Sequence, residues 1–156
     1  MTQRRTLQNR CLSWVCCLLG VVWLVACDVD STGYSPLPSP SRSAFEDEAG
    51  PILTARCGDY ACHGNSAQPF ALYAVARRRL RLEDRFTSHP LSLDEVDANF
   101  RATLGFLDAD HARDTPLIRK ALGLGGRGGH KGGAVFEAPS DPQCRALIRW
   151  IDGNPQ

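Results

Sequence analysis

An unbroken apolar stretch, residues 11–26, follows three arginines, Arg4, Arg5 and Arg10, and carries no charge. It is short for a spanning helix, which needs ~20 apolar residues. It fits the h-region of a secretory signal. Downstream, the apolar positions become periodic. In residues 43–56, Phe45, Ala49, Ile52 and Leu53 fall on one helical face. Pro51 predicts either a helix start or a kink there. Residues 70–81 read as a second helix, with Leu72, Val75, Ala76 and Leu80 as its stripe. Ser92-Leu93-Asp94-Glu95 is a capping box, opening a third helix that carries Val96, Phe100, Leu104 and Leu107. Residues 115–122 predict a short helix with Pro116 in its first turn. Residues 123–133 form a loop holding seven glycines. The last helix has Asp141 as N-cap, Pro142 next, then Leu147, Ile148, Trp150 and Ile151 for the core, and Gly153 as its stop. No stretch alternates as a strand, since Val135-Phe136 is too short. The expected fold class is all-α: a small, loop-rich helical domain without internal repeats.

The end of the apolar stretch adds a processing signal. Leu24-Val25-Ala26-Cys27 resembles the lipobox of bacterial lipoproteins. That resemblance implies cleavage before Cys27 and acylation of its thiol. A small residue before the cut and a thiol directly after it are the chemical requirements. The alternative is an uncleaved signal anchor. Residues 28–42 are rich in Ser, Pro, Asp and Gly, the composition of a flexible tether. The expected organisation is a signal peptide at 1–26, a tether at 27–42 and one helical domain at 43–156. Several acyl chains make a stable anchor, so the membrane is an expected partner. The expected location is the cell envelope, facing the periplasm from the inner or outer membrane. Asp28 favours inner-membrane retention in some bacteria.

Charge and cysteine content sharpen this. The chain has a formal net charge of +1, and loss of a leader with three arginines and no acid brings it to about −2. Nothing in that balance suggests nucleic-acid binding. Arg77, Arg78, Arg79 and Arg81 read most simply as a solvated helix face, with docking of an acidic partner as the alternative. Of seven cysteines, Cys11, Cys16 and Cys17 lie in the leader and Cys27 is the lipid site. Cys57, Cys62 and Cys144 remain. An odd number cannot all pair internally in an oxidising compartment. Cys144, on the inner side of an amphipathic helix, is expected to be a buried, inert thiol.

Cys57-Gly58-Asp59-Tyr60-Ala61-Cys62-His63-Gly64 is the segment that carries chemistry. Haem attachment of the c type uses C-x-x-C-H, where two thiols bond the macrocycle and the histidine ligates iron. Here the spacing is C-x4-C-H. The second cysteine and the histidine keep their register, and the two extra residues must bulge away from the haem edge. Gly58 eases that bulge, and two added residues cost little loop entropy.

These residues, with Phe45, Ala49, Pro51, Ile52 and Leu53 before them, resemble the opening of small cytochrome c-like domains in exported proteins of planctomycetes and myxobacteria. Residues 115–122, His130-Lys131-Gly132-Gly133 and the terminal Leu147-Ile148-Arg149-Trp150-Ile151 are similar to the same group. The resemblance covers residues 45–153. It implies haem c held by Cys57 and Cys62, His63 as proximal ligand, and one-electron transfer to a redox protein partner. That is an electron carrier rather than an enzyme.

The opposite axial ligand is a separate question. Met1 is the only methionine and would leave with the leader. The candidates are His89, His111 and His130. His130 is favoured, because glycines around it let backbone approach a flat macrocycle. Two other readings stand beside haem. Cys57 and Cys62 could close a disulfide in a cofactor-free structural or interaction lipoprotein. Cys57, Cys62, His63 and His130 are also a Cys2His2 set of a type that suits zinc, although adjacent Cys62 and His63 are awkward for a tetrahedral site. No nucleophile elbow, H-E-x-x-H or P-loop is present.

Overall fold

The computed structural model describes residues 39–108, 110–124 and 129–153. The expected leader, Cys27 and most of the tether lie outside the described residues. The described part is small, helical and loop-rich, with no strand among the described residues.

Helix α1 runs in three continuous stretches: an α-turn Arg42–Ala44, a π-helical stretch Phe45–Ala49 and an α-helical stretch Gly50–Cys57. Pro51 sits in the first turn of the α-helical stretch, as a helix start there predicts, and the π-helical stretch runs into it without a break. A proline within a regular α-helix presses on the carbonyl four residues back and lacks the N–H to bond it. The wider turn before Pro51 removes the conflict: the Gly50 N–H donates to the Phe45 carbonyl, five residues back. Gly50 is required there, since a Cβ would lie 2.9 Å from that carbonyl oxygen. Phe45, Ala49, Leu53 and Cys57 are all buried. The apolar face of α1 therefore ends on Cys57.

Helix α2, Leu93–Leu104, begins at the expected capping box, with Ser92 and Glu95 each bonding the other's backbone N–H. Helix α3, Pro116–Ala121, is N-capped by Thr115. Helix α4, Pro142–Ile151, is capped by the Asp141 carboxylate, which accepts from the Gln143 and Cys144 N–H groups. Gly153, at φ +72°, follows its end. The N-terminal half of α1 packs on α4. Phe45 meets Trp150 and Phe100 with ring centroids 5.4 and 5.3 Å apart. The Trp150 indole N–H donates to the Ser41 carbonyl at 3.0 Å, tying the entry of α1 to the last helix. Cys144 is fully buried as a free thiol.

Residues 70–81 are not a helix. Their backbone groups are taken by partners from elsewhere. The Leu72 N–H donates to the His63 carbonyl at 2.6 Å, and the Ala76 N–H to Thr87 at 3.0 Å. The buried Asn99 amide pairs with Tyr73 like a strand neighbour, accepting from its N–H at 2.7 Å and donating to its carbonyl at 2.9 Å. Those bonds replace a local helical ladder.

The arginine run is consequently not one solvated face. Arg79 is buried, and each of its three guanidinium nitrogens has a partner. Its Nε and Nη2 donate to the two Glu95 oxygens at 3.0 and 3.1 Å, and Nη1 and Nη2 reach the carbonyls of His89 and Pro90. Glu95 also accepts from the Leu80 N–H at 2.6 Å and the Ser92 N–H at 2.8 Å. The capping-box acid of α2 thus doubles as the anchor of a distant loop. Burial alone would raise the Glu95 carboxyl. Its hydrogen bonds from Arg79, Leu80 and Ser92 outweigh burial and hold it at about 2.

Candidate functional site

Four of the chemically reactive side chains converge. Cys57, Cys62, His63 and His130 line a half-open cavity of about 390 Å³. The remaining lining is mainly apolar, with Leu53, Phe70, Phe106, Leu117, Phe136 and Leu147 contributing. The volume lies within the range of ligand and cofactor pockets, about 300–1,000 Å³.

Each element delivers its residue for a local reason. Cys57 is the last residue of α1, on its buried face. The four-residue insertion then folds on itself. The Asp59 carboxylate accepts from the Ala61 N–H at 3.0 Å, and the Asp59 carbonyl accepts from Cys62 and Gly64 at 3.0 and 2.7 Å. The His63 N–H closes back onto the Cys57 carbonyl at 3.0 Å. The two ends of the C-x4-C-H segment are thereby held together, as a shorter spacing would hold them. Gly58, Asp59 and Tyr60 do not line the cavity, whereas Ala61 does, so the first three residues between the cysteines turn away from it. Two glycines make the fold tight. A Cβ on Gly64 would lie 2.4 Å from the Gly58 carbonyl oxygen, and one on Gly58 would lie 2.5 Å from that of Thr54.

The two imidazoles are oriented alike. His63 Nδ1 lies 2.6 Å from the Phe70 carbonyl oxygen, and His130 Nδ1 lies 2.7 Å from that of Gly133. A carbonyl only accepts, so both rings carry the proton on Nδ1. In a neutral ring so oriented, Nε2 keeps the lone pair that a metal takes. The ring centroids are 5.8 Å apart and the planes 31° from parallel. Two imidazole nitrogens at about 2 Å from one metal atom give a centre-to-centre spacing of this order, about 6 Å. Burial lowers the pKa of His63, opposed by the Phe70 bond and reinforced by His130 and Lys120. The ring is neutral at pH 7, the form that ligates.

The thiols are free. Burial pushes the Cys57 thiol up to about 11, with Cys62 adding to the rise and Arg56 opposing it. Cys62 is half-buried. The other two histidines stand elsewhere. His89 is exposed beside Asp84 at 3.3 Å, and His111 is exposed before the 3-10 turn Ala112–Asp114. Of the three histidines considered as partners for His63, only His130 is brought to it.

Comparison finds no family model, no curated protein and no solved structure that matches the chain. The site is therefore read from its own chemistry. Among the described residues, no three of the His, Cys, Asp and Glu side chains gather in metal-binding reach. A flat group held by two thiols and two axial imidazoles needs no such cluster. It would need free thiols, imidazoles and an apolar lining on one cavity, and Cys57, Cys62, His63, His130 and the side chains around them are of that kind. Periodicity missed Lys120 and Lys131, which put positive charge on the cavity rim. It also missed Phe70 and Gly133, whose backbone carbonyls set the two tautomers. Carbonyls leave no mark in side-chain pattern.

Proposed function

We propose that this protein is a membrane-anchored c-type haem lipoprotein, with a cytochrome c-like domain that carries single electrons in the cell envelope. One observation carries the reading: Cys57, Cys62, His63 and His130 meet on a single apolar cavity with both imidazoles tied through Nδ1. Cys57 and Cys62 would hold the haem, His63 would be its proximal ligand and His130 the distal one. When bound, haem supplies a reversible one-electron iron couple.

The chain's own part is positioning and burial. The Phe70 and Gly133 carbonyls fix ring orientation, the kind of outer contact that keeps a ligating histidine in one tautomer. Phe70 packs on the His63 ring, centroids 4.9 Å apart, and Phe106 backs Phe70 at 5.0 Å. These aromatics give the His63 ring an apolar backing. Two nitrogen ligands favour a lower potential than a methionine–histidine pair. Lys120 and Lys131 supply positive charge where an anionic group at the rim would sit.

The test is the visible spectrum of purified, dithionite-reduced protein made with haem-attachment machinery, repeated after acid–acetone extraction. A haem band that stays with the polypeptide supports the proposal. A colourless protein in which a peptide map finds Cys57 linked to Cys62 overturns it in favour of a disulfide-stapled structural lipoprotein.

A further inference from the structure

The loop between Ala74 and His89 projects apolar side chains into solvent. Phe86 is 74% exposed, Leu82 73%, Leu80 54% and Val75 43%. Monomeric domains normally scatter such residues singly. Here they sit on one excursion closed at its neck by the Ala76–Thr87 backbone bond and by the buried Arg79–Glu95 pair. Phe86 is held at φ +71° and Ala76 at φ +55°, the left-handed region that non-glycine residues rarely adopt. Strain of this kind is kept where surroundings impose it, and the Phe86 ring, although it leans on Tyr60 with centroids 6.4 Å apart, stays largely in solvent.

The same excursion is basic. Arg78, Arg81 and Arg85 are interleaved with the apolar residues. Opposing them are Glu83, which is exposed, and Asp84, which bonds His89. Arg78 lies over the Tyr73 ring at 4.0 Å and Arg85 over Tyr60 at 5.8 Å. Arg78, Leu80 and Arg85 share a shallow concavity of about 500 Å³ with Tyr60. The Tyr60 hydroxyl is buried, with no hydrogen-bond partner among the described residues.

We propose that this loop docks on an anionic phospholipid surface. Phe86, Leu82 and Leu80 enter the interface, and Arg78, Arg81 and Arg85 face lipid phosphates. Interleaved arginine and large apolar side chains are what an interfacial lipid-binding segment presents. A protein partner of acidic character would answer the arginines but leave Phe86 and Leu82 without a stated counterpart. The proposal draws on the N-terminal lipid anchor, which would hold the domain at such a surface, and is independent of what fills the cavity.

The full chain is reconstituted into vesicles of phosphatidylglycerol or phosphatidylcholine, and flotation and amide hydrogen exchange are both read. Flotation on both lipids reports the anchor. Docking requires the amides of residues 78–88 to exchange about tenfold or more slowly on phosphatidylglycerol than on phosphatidylcholine, with the difference lost in high salt. Leu82→Ser/Phe86→Ser should float as before, keep its urea midpoint and lose that protection. A chain that floats while its loop exchanges equally fast on both lipids overturns the docking and keeps the anchor. It would leave the patch to an acidic protein surface. A chain that floats on neither lipid overturns both.

Discussion

Replacing Arg79 with methionine isolates the contact that holds the loop of residues 74–89 to α2. Methionine roughly keeps the apolar stem and removes the charge. Glu95 loses its only cation and two of its hydrogen bonds, while the Leu80 and Ser92 N–H groups still donate to it. The carbonyls of His89 and Pro90 lose their donor as well. Removing one partner of a buried ion pair costs about 3–5 kcal/mol. The surviving donors place the expected loss near the lower end, about 3–4 kcal/mol at pH 7. That is a large part of a small domain's stability of about 5–15 kcal/mol. A second magnitude comes from titration. Glu95 sits at about 2 against an ordinary 4.5. A depressed carboxyl adds stability that is fully present above the unfolded value and lost as pH falls through the folded one. The native protein should therefore lose about 3 kcal/mol between pH 5 and pH 2 through this group. In Arg79→Met that acid slope should flatten. Urea unfolding at several pH values measures both effects, as a shift in midpoint at constant slope. A loss below about 1 kcal/mol at pH 7, the range of an exposed ion pair, would refute the reasoning, as would an unchanged acid slope.

Other consequences are direct. Gly64→Ala forces a Cβ to 2.4 Å from a backbone oxygen and should destabilise by about 2–3 kcal/mol in thermal unfolding. Gly132→Ala meets only the His130 ring at 3.4 Å and should be nearly neutral. If haem is held as proposed, His130→Ala should keep a band that stays with the polypeptide but shift it to that of iron lacking one strong ligand, while His63→Ala should lower haem incorporation itself. In haem-free protein, iodoacetamide at pH 8 should label half-buried Cys62 well before Cys57, whose thiol stands at about 11, and before buried Cys144. Peptide mapping over time reads the order. Ala76→Gly relieves a left-handed alanine, and because glycine costs more on folding, the net gain should be only about 0.5–1 kcal/mol by urea unfolding.

Sequence by itself determined the elements whose signals are local. The capping box at Ser92, Pro116 in the first turn of α3, the Asp141 cap and the Gly153 stop each act within a turn of chain, so spacing alone reveals them. Although the burial of Cys57 at its end came from the fold, the helical stripe Phe45, Ala49, Ile52 and Leu53 was equally legible. Adjacent Cys62 and His63 marked the chemistry for the same reason. Tertiary structure decided the rest. Residues 70–81 carry a helical stripe, yet Asn99, His63 and Thr87 offer their backbone groups better partners than a local ladder does. Arg79 reads as one more surface cation, and only the fold shows it buried on Glu95, sixteen residues away. The glycines around His130 already favoured it over His89 and His111 in the sequence. Only the fold shows it on the cavity wall beside His63, far along the chain from it, by contacts that no local pattern encodes.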